Sequence, residues 1–294
     1  MPIDFEAAIQ TRGKDAVAVY SRKDAILYAL GLGFGRDPLD ARELRFVYEK
    51  DLLAVPTFAT GLAFAANALT ARIGMNLALL VHGEQSIIFH HTLPAAADTL
   101  VDTQVVDIFD KGPGKGAVVI IETNVRIKGT NEALVTLTAS LFARGDGGFL
   151  KPGQTSKGVQ AKAHALPDRA PDYVDELATR PDQALLYRLS GDFNPLHADP
   201  EFAAKAGFQR PILHGLCTYG ICCRAILKHV LDYDPTAIEL FNARFSNPVV
   251  PGETIVTEIW REGADISFRA RVKERDVVAV NNGLCRIRVG QPDS

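Results

Sequence analysis

The sequence predicts an α+β protein made of two similar halves, each a central helix wrapped by an antiparallel sheet. Three observations carry this reading. The same order of elements occurs twice, several apolar runs alternate with polar residues at the strand period, and a Gly- and Pro-rich stretch separates the two copies. The 294 residues match two domains at the usual ~100–200 residues each. Apolar residues make up 47% of the chain, the ordinary proportion for a protein with a substantial core.

Each half begins with a short helical segment carrying a tyrosine, AILYALGLGFGRDPL around Tyr28 and ALLYRLSGDFNPLH around Tyr187. A proline-led apolar helix follows, PTFATGLAFAANAL from Pro56 and PILHGLCTYGICCRAIL from Pro211. The apolar stretch from Thr57 to Val81 is long enough to suggest a membrane span. Asn67, Arg72, Gly74 and Asn76 interrupt it, so it reads as a buried helix followed by a buried strand. The expected strands are SIIFHHTL, TLVDTQVVDIFDK, GAVVIIETNVRIK and ALVTLTASLFAR in the first half. In the second they are IELFNARFSNPVV, TIVTEIWREG, ADISFRARVKER and VVAVNNGLCRIRV. Between Gly145 and Pro171 lie five glycines and three prolines without apolar periodicity. The expected division is 1–150, a linker at 151–171, and 172–294.

Charge and cysteine content narrow the function classes. Lys and Arg number 32 against 35 Asp and Glu, a net charge of −3 that argues against nucleic acid as the main partner. Cys217, Cys222, Cys223 and Cys285 form neither a disulfide framework nor a zinc knuckle and read as reduced core thiols. MPIDFEAAIQ lacks the pattern of a secretory signal and QPDS is not a peroxisomal address, so a cytoplasmic, non-membrane protein is expected.

The stretch YRLSGDFNPLHADPEFAAKAGFQRPILHGLCTYG at 187–220 is the most informative. It sets Asp192, Asn194 and His197 on a turn shaped by Gly191 and Pro195, with His214 and Gly215 ahead of the second helix. Asp192 and His197 are an acid/base pair able to hold a water from two sides and move its proton. Asn194 can fix the turn or the water, and Gly215 at a helix start offers a free N–H as an oxyanion donor. Which of Asp192 and His197 gives up the proton stays open.

Gly-Asp-Phe-Asn-Pro-Leu-His at 191–197 with His-Gly at 214–215 resembles the MaoC-type dehydratases, and more narrowly the (R)-specific 2-enoyl-CoA hydratases, hydratase 2. The repeated order of elements likewise resembles a fused double hotdog. VPTF at 55–58, LVHGEQ at 80–85, DKGPGKGA at 110–117 and ARFSNPVVPGET at 243–254 extend the likeness along nearly the whole chain. The resemblance implies a cofactor-independent hydro-lyase acting on an acyl-CoA thioester, and a homodimer. It also implies substrate contacts from His82, Gly83, Lys111, Asp192, Phe193, Asn194, Pro195, Leu196, His197, Gly215 and Phe245. In the first half Gly33 and Gly35 stand where Asp192 and Asn194 stand in the second, and Thr57-Phe58 replaces His-Gly, so that half is expected to be silent.

Blander readings compete with each of these. Asp192 and Asn194 are common turn and cap residues, and His214 reads as a loop-holding residue beside the dyad. His82, Glu84, His90 and His91 do not suit a metal, because His90 and His91 would face opposite sides of a strand, and no metal is expected. Arg269, Arg271, Lys273 and Arg275 share one strand face and read as a solvated surface. Two other functions remain, a hotdog thioesterase and a non-catalytic acyl-CoA binding protein.

Overall fold

The computed structural model describes residues 3–66, 72–75, 79–151, 153–154 and 162–288. The elements run α1 (Phe5–Ile9), β1 (Arg12–Tyr20), α2 (Arg22–Gly31), α3 (Ala41–Val47), α4 (Ala59–Leu62), β2 (Leu80–Phe89), β3 (Ala97–Asp110), β4 (Ala117–Ile127) and β5 (Ala133–Ala143). The second half repeats the plan with β6 (Tyr173–Ala178), α5 (Gln183–Tyr187), α6 (Pro200–Lys205), α7 (Gly215–His229), β7 (Ile238–Phe245), β8 (Thr254–Glu262), β9 (Asp265–Val272) and β10 (Val277–Ile287).

All ten strands form one antiparallel sheet, ordered β1-β3-β4-β5-β2-β7-β10-β9-β8-β6. The two halves of that order mirror each other, with the first strand of each half at an outer edge and the strand after its helix at the centre. The β2–β7 pairing, from Glu84 opposite Arg244 to Ile88 opposite Leu240, makes the sheet continuous between halves. An ion pair of 3.0 Å between Arg244 and Glu84 closes the same seam.

The 15-residue helix α7 is the axis of the second half, with twelve buried residues. It is apolar nearly all round, the pattern of a helix enclosed by its surroundings. Cys217, Cys222 and Cys223 are buried on it, and Cys285 on β10, all as free thiols. A second, smaller cluster of Ile3, Phe5, Ile73, Ile108 and Val119 closes the outer part of the first half.

The structure departs from the sequence reading in three places. The edge strands β1 and β6 were not expected, because RGKDAVAVY and YVDELA are too polar to show a buried face. The long apolar helix expected from Pro56 is instead a 3-10 turn at Pro56–Phe58, the single α turn α4, and a further 3-10 turn at Ala63–Ala66. Asn67 and Asn76 lie outside the described residues, and the strand that follows begins only at Leu80. Finally, His90 and His91 lie just beyond the end of β2, where His90 bonds Thr136 at 2.9 Å and His91 pairs with Glu132 at 3.2 Å. Among the described residues, no helix is long and apolar enough to cross a membrane.

The charged face from Arg269 to Arg275 matches its expectation, whereas the end of the expected linker does not run free. Phe268, Ala270 and Val272 are buried, while the opposite face pairs Arg269 with Glu258, Arg271 with Asp276, Lys273 with Glu176 and Arg275 with Glu253. The 162–172 stretch is tied to the second half: His164 bonds Ser267 and Asn282, and the Trp260 indole donates to the Arg169 carbonyl.

Candidate active site

The chain reaches the motif through α5 and a 3-10 turn at Arg188–Ser190, then reverses at Gly191, whose φ of 120° favours glycine. A Cβ at Gly191 would meet Phe64 at 3.2 Å and the Gly61 carbonyl at 3.4 Å, so the turn is backed by the first half. Asp192 Oδ1 accepts from the Asn194 N–H at 3.2 Å, and Asn194 Oδ1 accepts from the Leu196 N–H at 3.0 Å. Pro195 starts the 3-10 turn that delivers His197. Asn194 thus fixes the turn, while Phe193, Asn194 and Pro195 face solvent.

His197 is buried, and its Nδ1 lies 2.9 Å from the Ile212 carbonyl. A carbonyl only accepts, so Nδ1 carries the proton and Nε2 is left as a base. Burial lowers the His197 pKa below the usual histidine value, with the Asp192 charge and the Ile212 bond acting in the opposite sense. The His214 ring stacks on His197 at 3.7 Å between centroids and donates through Nε2 to the Asp192 carbonyl at 3.2 Å. His214 therefore ties the start of α7 to the motif. Burial, the neighbouring His197 and the Arg188 charge push its pKa to about 2, against a smaller upward effect of its bond to Asp192.

Gly215 opens α7, so its N–H lacks an intrahelical acceptor. A Cβ at Gly215 would stand 3.1 Å from the Phe245 ring, and that ring meets His82 edge-on at 5.0 Å. His82 donates to the Glu84 carbonyl at 3.1 Å, and burial pushes its pKa down to about 4, so it is neutral. Beside it, a Cβ at Gly83 would press on the Ser140 carbonyl at 3.2 Å. Asp192, Asn194, His197, Gly215, Phe245, His82 and Gly83 thus form a chain of neighbours crossing from one half to the other.

Lys111 stands apart, exposed on the β3–β4 hairpin at the same end of the sheet as His82. Three interstrand spacings separate them, about 14 Å. Asp110 holds that hairpin by accepting from the N–H groups of Gly112, Gly148, Phe149 and Leu150, at 2.7 to 3.0 Å.

Among the described residues, Asp192, His197 and His214 are the one group whose donor atoms lie close enough to hold a metal, within 4.8 Å of one another. Their geometry does not fit one well. The imidazoles are stacked at 28°, so their in-plane lone pairs run nearly parallel rather than converging at metal–nitrogen distance. The sequence reading gave no role beside the motif turn to three contributors to this region, Arg188, Gly61 and Phe64. The first has only the local signal of a cation four residues before Asp192; the other two act across a long sequence separation.

A family model for the MaoC like domain matches residues 162–282, and one for the MFE-2 hydratase 2 N-terminal domain matches residues 19–145. The chain belongs to the MaoC-like hydratase 2 family of hydro-lyases. It is 42% identical over 275 residues to an Arabidopsis thaliana protein named "Enoyl-CoA hydratase 2, peroxisomal", covering 87% of each chain. It is 38% identical to "Enoyl-CoA hydratase ChsH3" of Mycobacterium tuberculosis, covering 97% of this chain and 98% of that one. The crystal structure of a MaoC-like dehydratase from Phytophthora capsici superposes with a TM-score of 0.84 at 33% identity, covering 97% and 98% of the two chains. This hydratase 2 family member accordingly has the double hotdog fold. The plant relative's name carries a peroxisomal location, so the cytoplasmic expectation draws no support from it.

Proposed function

We propose that the protein reversibly adds water to trans-2-enoyl-CoA thioesters to give (R)-3-hydroxyacyl-CoA, with no cofactor, as a homodimer. The observation that carries this reading is the tautomer of His197: with Nδ1 donating to Ile212, Nε2 is an unprotonated base next to the Asp192 carboxylate.

In this reading a water between Asp192 and His197 gives one proton to Nε2 as its oxygen bonds Cβ. The π electrons move to the thioester oxygen, which the Gly215 N–H at the start of α7 stabilises as an enolate. Asp192 balances the imidazolium charge. A proton from the dyad then goes to Cα, which restores the thioester and completes the addition of one water. His82, Gly83 and Phe245 line the approach, and Lys111 meets a phosphate of the CoA moiety. The (R) outcome rests on the likeness to hydratase 2.

The test is loss of the enoyl-thioester ultraviolet absorbance across a series of trans-2-enoyl-CoAs, with a thiol reagent present to detect free CoA. Absorbance loss without thiol release is the expected result, and chiral analysis of the product should give the (R) alcohol. Thiol release would instead make the protein a thioesterase. Silence in both channels would leave a binding protein.

A further inference from the structure

The site contains a cation that the reaction scheme does not use. Arg188 lies in the 3-10 turn four residues before Asp192. Its Nε is buried and has no hydrogen-bond partner, and among the described residues no carboxylate comes within ion-pair distance of it. Its guanidinium is instead stacked over the Phe193 ring, 5.1 Å from the centroid. Phe193 is 58% exposed, an unusual place for a large aromatic unless something holds it.

We propose that Arg188 is a positioning residue of the hydration reaction, clamping the Asp192–Asn194 turn through Phe193 and adding a fixed positive charge beside the stacked imidazoles. The proposal rests on the hydratase reading above and extends it to a residue outside the motif. Two physical arguments support it. The first is mechanical: a planar guanidinium on an aromatic face attracts the ring's electron density and so biases a short turn. The second is electrostatic. Arginine stays charged at every working pH, and a like charge next to an imidazole opposes its protonation.

The groups facing the imidazole pair are few. From the α5 side come Tyr187, with its ring 4.9 Å from His214, and Arg188. From the motif turn comes Asp192, whose negative charge acts on His197. The two imidazoles face each other. Arg188 thus acts on the pair from the His214 side and Asp192 from the His197 side: burial and the arginine charge oppose protonation of the stack, and Asp192 stabilises the imidazolium once it forms.

Removing the charge should make the imidazoles easier to protonate. In Arg188→Gln the acid limb of kcat/KM should move to higher pH, by roughly half a unit to one unit for a single charge several ångströms away. Arg188→Lys, which keeps the charge but loses the planar stack, should leave the limb in place. Phe193→Leu should also leave the limb in place while lowering kcat about 5-fold or more through the loosened turn. An Arg188→Gln limb that coincides with wild type would overturn the electrostatic role, and unchanged kcat in Phe193→Leu would overturn the clamp. Should Arg188→Gln fail to fold, Arg188→Met removes the same charge while keeping an apolar stem over Phe193, and its acid limb decides in the same way. NMR titration of the His197 and His214 ring protons reads the same charge effect without turnover. A wild-type protein that hydrates nothing would refute the proposed function, whereas equal titration in wild type and Arg188→Gln would refute this inference.

Discussion

The contact between the first half and the motif turn can be tested by one methyl group. A Cβ at Gly61 would stand 2.9 Å from the Ser190 carbonyl oxygen, whereas ordinary contact begins near 3.4 Å. In Gly61→Ala, then, α4 or the Ser190 turn must yield by about 0.5 Å. The helix has little room, because Ala59, Thr60 and Leu62 around Gly61 are all buried. The turn yields more readily, and Asp192 is two residues further on. A 1 Å misplacement of reacting groups can cost about 10²-fold, so half of that corresponds to a roughly 10-fold fall in kcat. Stability should change far less. Alanine gains about 1 kcal/mol over glycine in a helix, while overpacking costs ~1–3 kcal/mol. The net loss of at most ~2 kcal/mol lowers Tm by no more than about 8 °C. Initial rates of enoyl absorbance loss, with a thermal melt on the same sample, separate the two effects. Gly13→Ala, whose Cβ would meet no atom within 4 Å, is the control. A Gly61→Ala enzyme with kcat within 2-fold of wild type would refute the idea that this contact positions Asp192.

Three further outcomes are expected. Asp192→Asn and His197→Ala should each lower kcat by roughly 10²–10⁴-fold with folding retained, measured by the same absorbance assay and by circular dichroism. Arg224→Met should lower stability by about 3–5 kcal/mol, read as a fall in Tm, because it strips the buried Glu43 of its ionic partner and leaves only Tyr233 at 3.2 Å and the Gly35 N–H at 2.8 Å. Acid should destabilise the fold early: His82 and His214, held at about 4 and about 2, stay neutral when folded but protonate near 6.5 when unfolded. The unfolded chain then binds more protons, so stability falls as pH drops below 6.5, by about 1.4 kcal/mol per pH unit for each histidine until its folded pKa is reached. Urea denaturation between pH 7 and pH 5 should show that slope, and its reduction in His214→Phe would assign that histidine's share.

What could be read from the sequence followed the range of the interactions involved. Asp192, Asn194 and His197 were legible because their turn is built locally, from a glycine at positive φ, two side-chain caps and a proline. The inner strands were legible because their alternation is a local consequence of one face being buried. β1 and β6 were not, since an edge strand pairs on one side only and carries charges that discourage further pairing. The first-half helix was misjudged for a different reason: Ala-rich composition favours a long helix, but here tertiary packing broke it into short turns. Arg188 and Gly61 were not legible as parts of the site because each matters through a contact that exists only in the folded chain.

What occupies equivalent places differs between the two halves. On the second-half side, the motif turn at Ser190–Gly191 rests against Gly61 and leaves Phe193 and Asn194 open to solvent. On the first-half side, the turn after α2 rests against α7 in the same manner, with Leu32 where a Cβ on Gly220 would lie and Cys217 donating to the Gly31 carbonyl at 3.6 Å. There, however, Leu32 and Phe34 are buried, Phe34 packs on Phe46 at 4.8 Å, and the Arg224–Glu43 ion pair lies against the same group. Gly33 and Gly35 contribute backbone reversal without any titratable side chain. Water and a thioester need an open, polar turn, whereas the interface between halves needs apolar volume and paired charge. With one helix turn serving each purpose, the duplicated fold can satisfy both, and α7 is the element shared between them: its first residue faces the open site, and its middle holds the filled one shut.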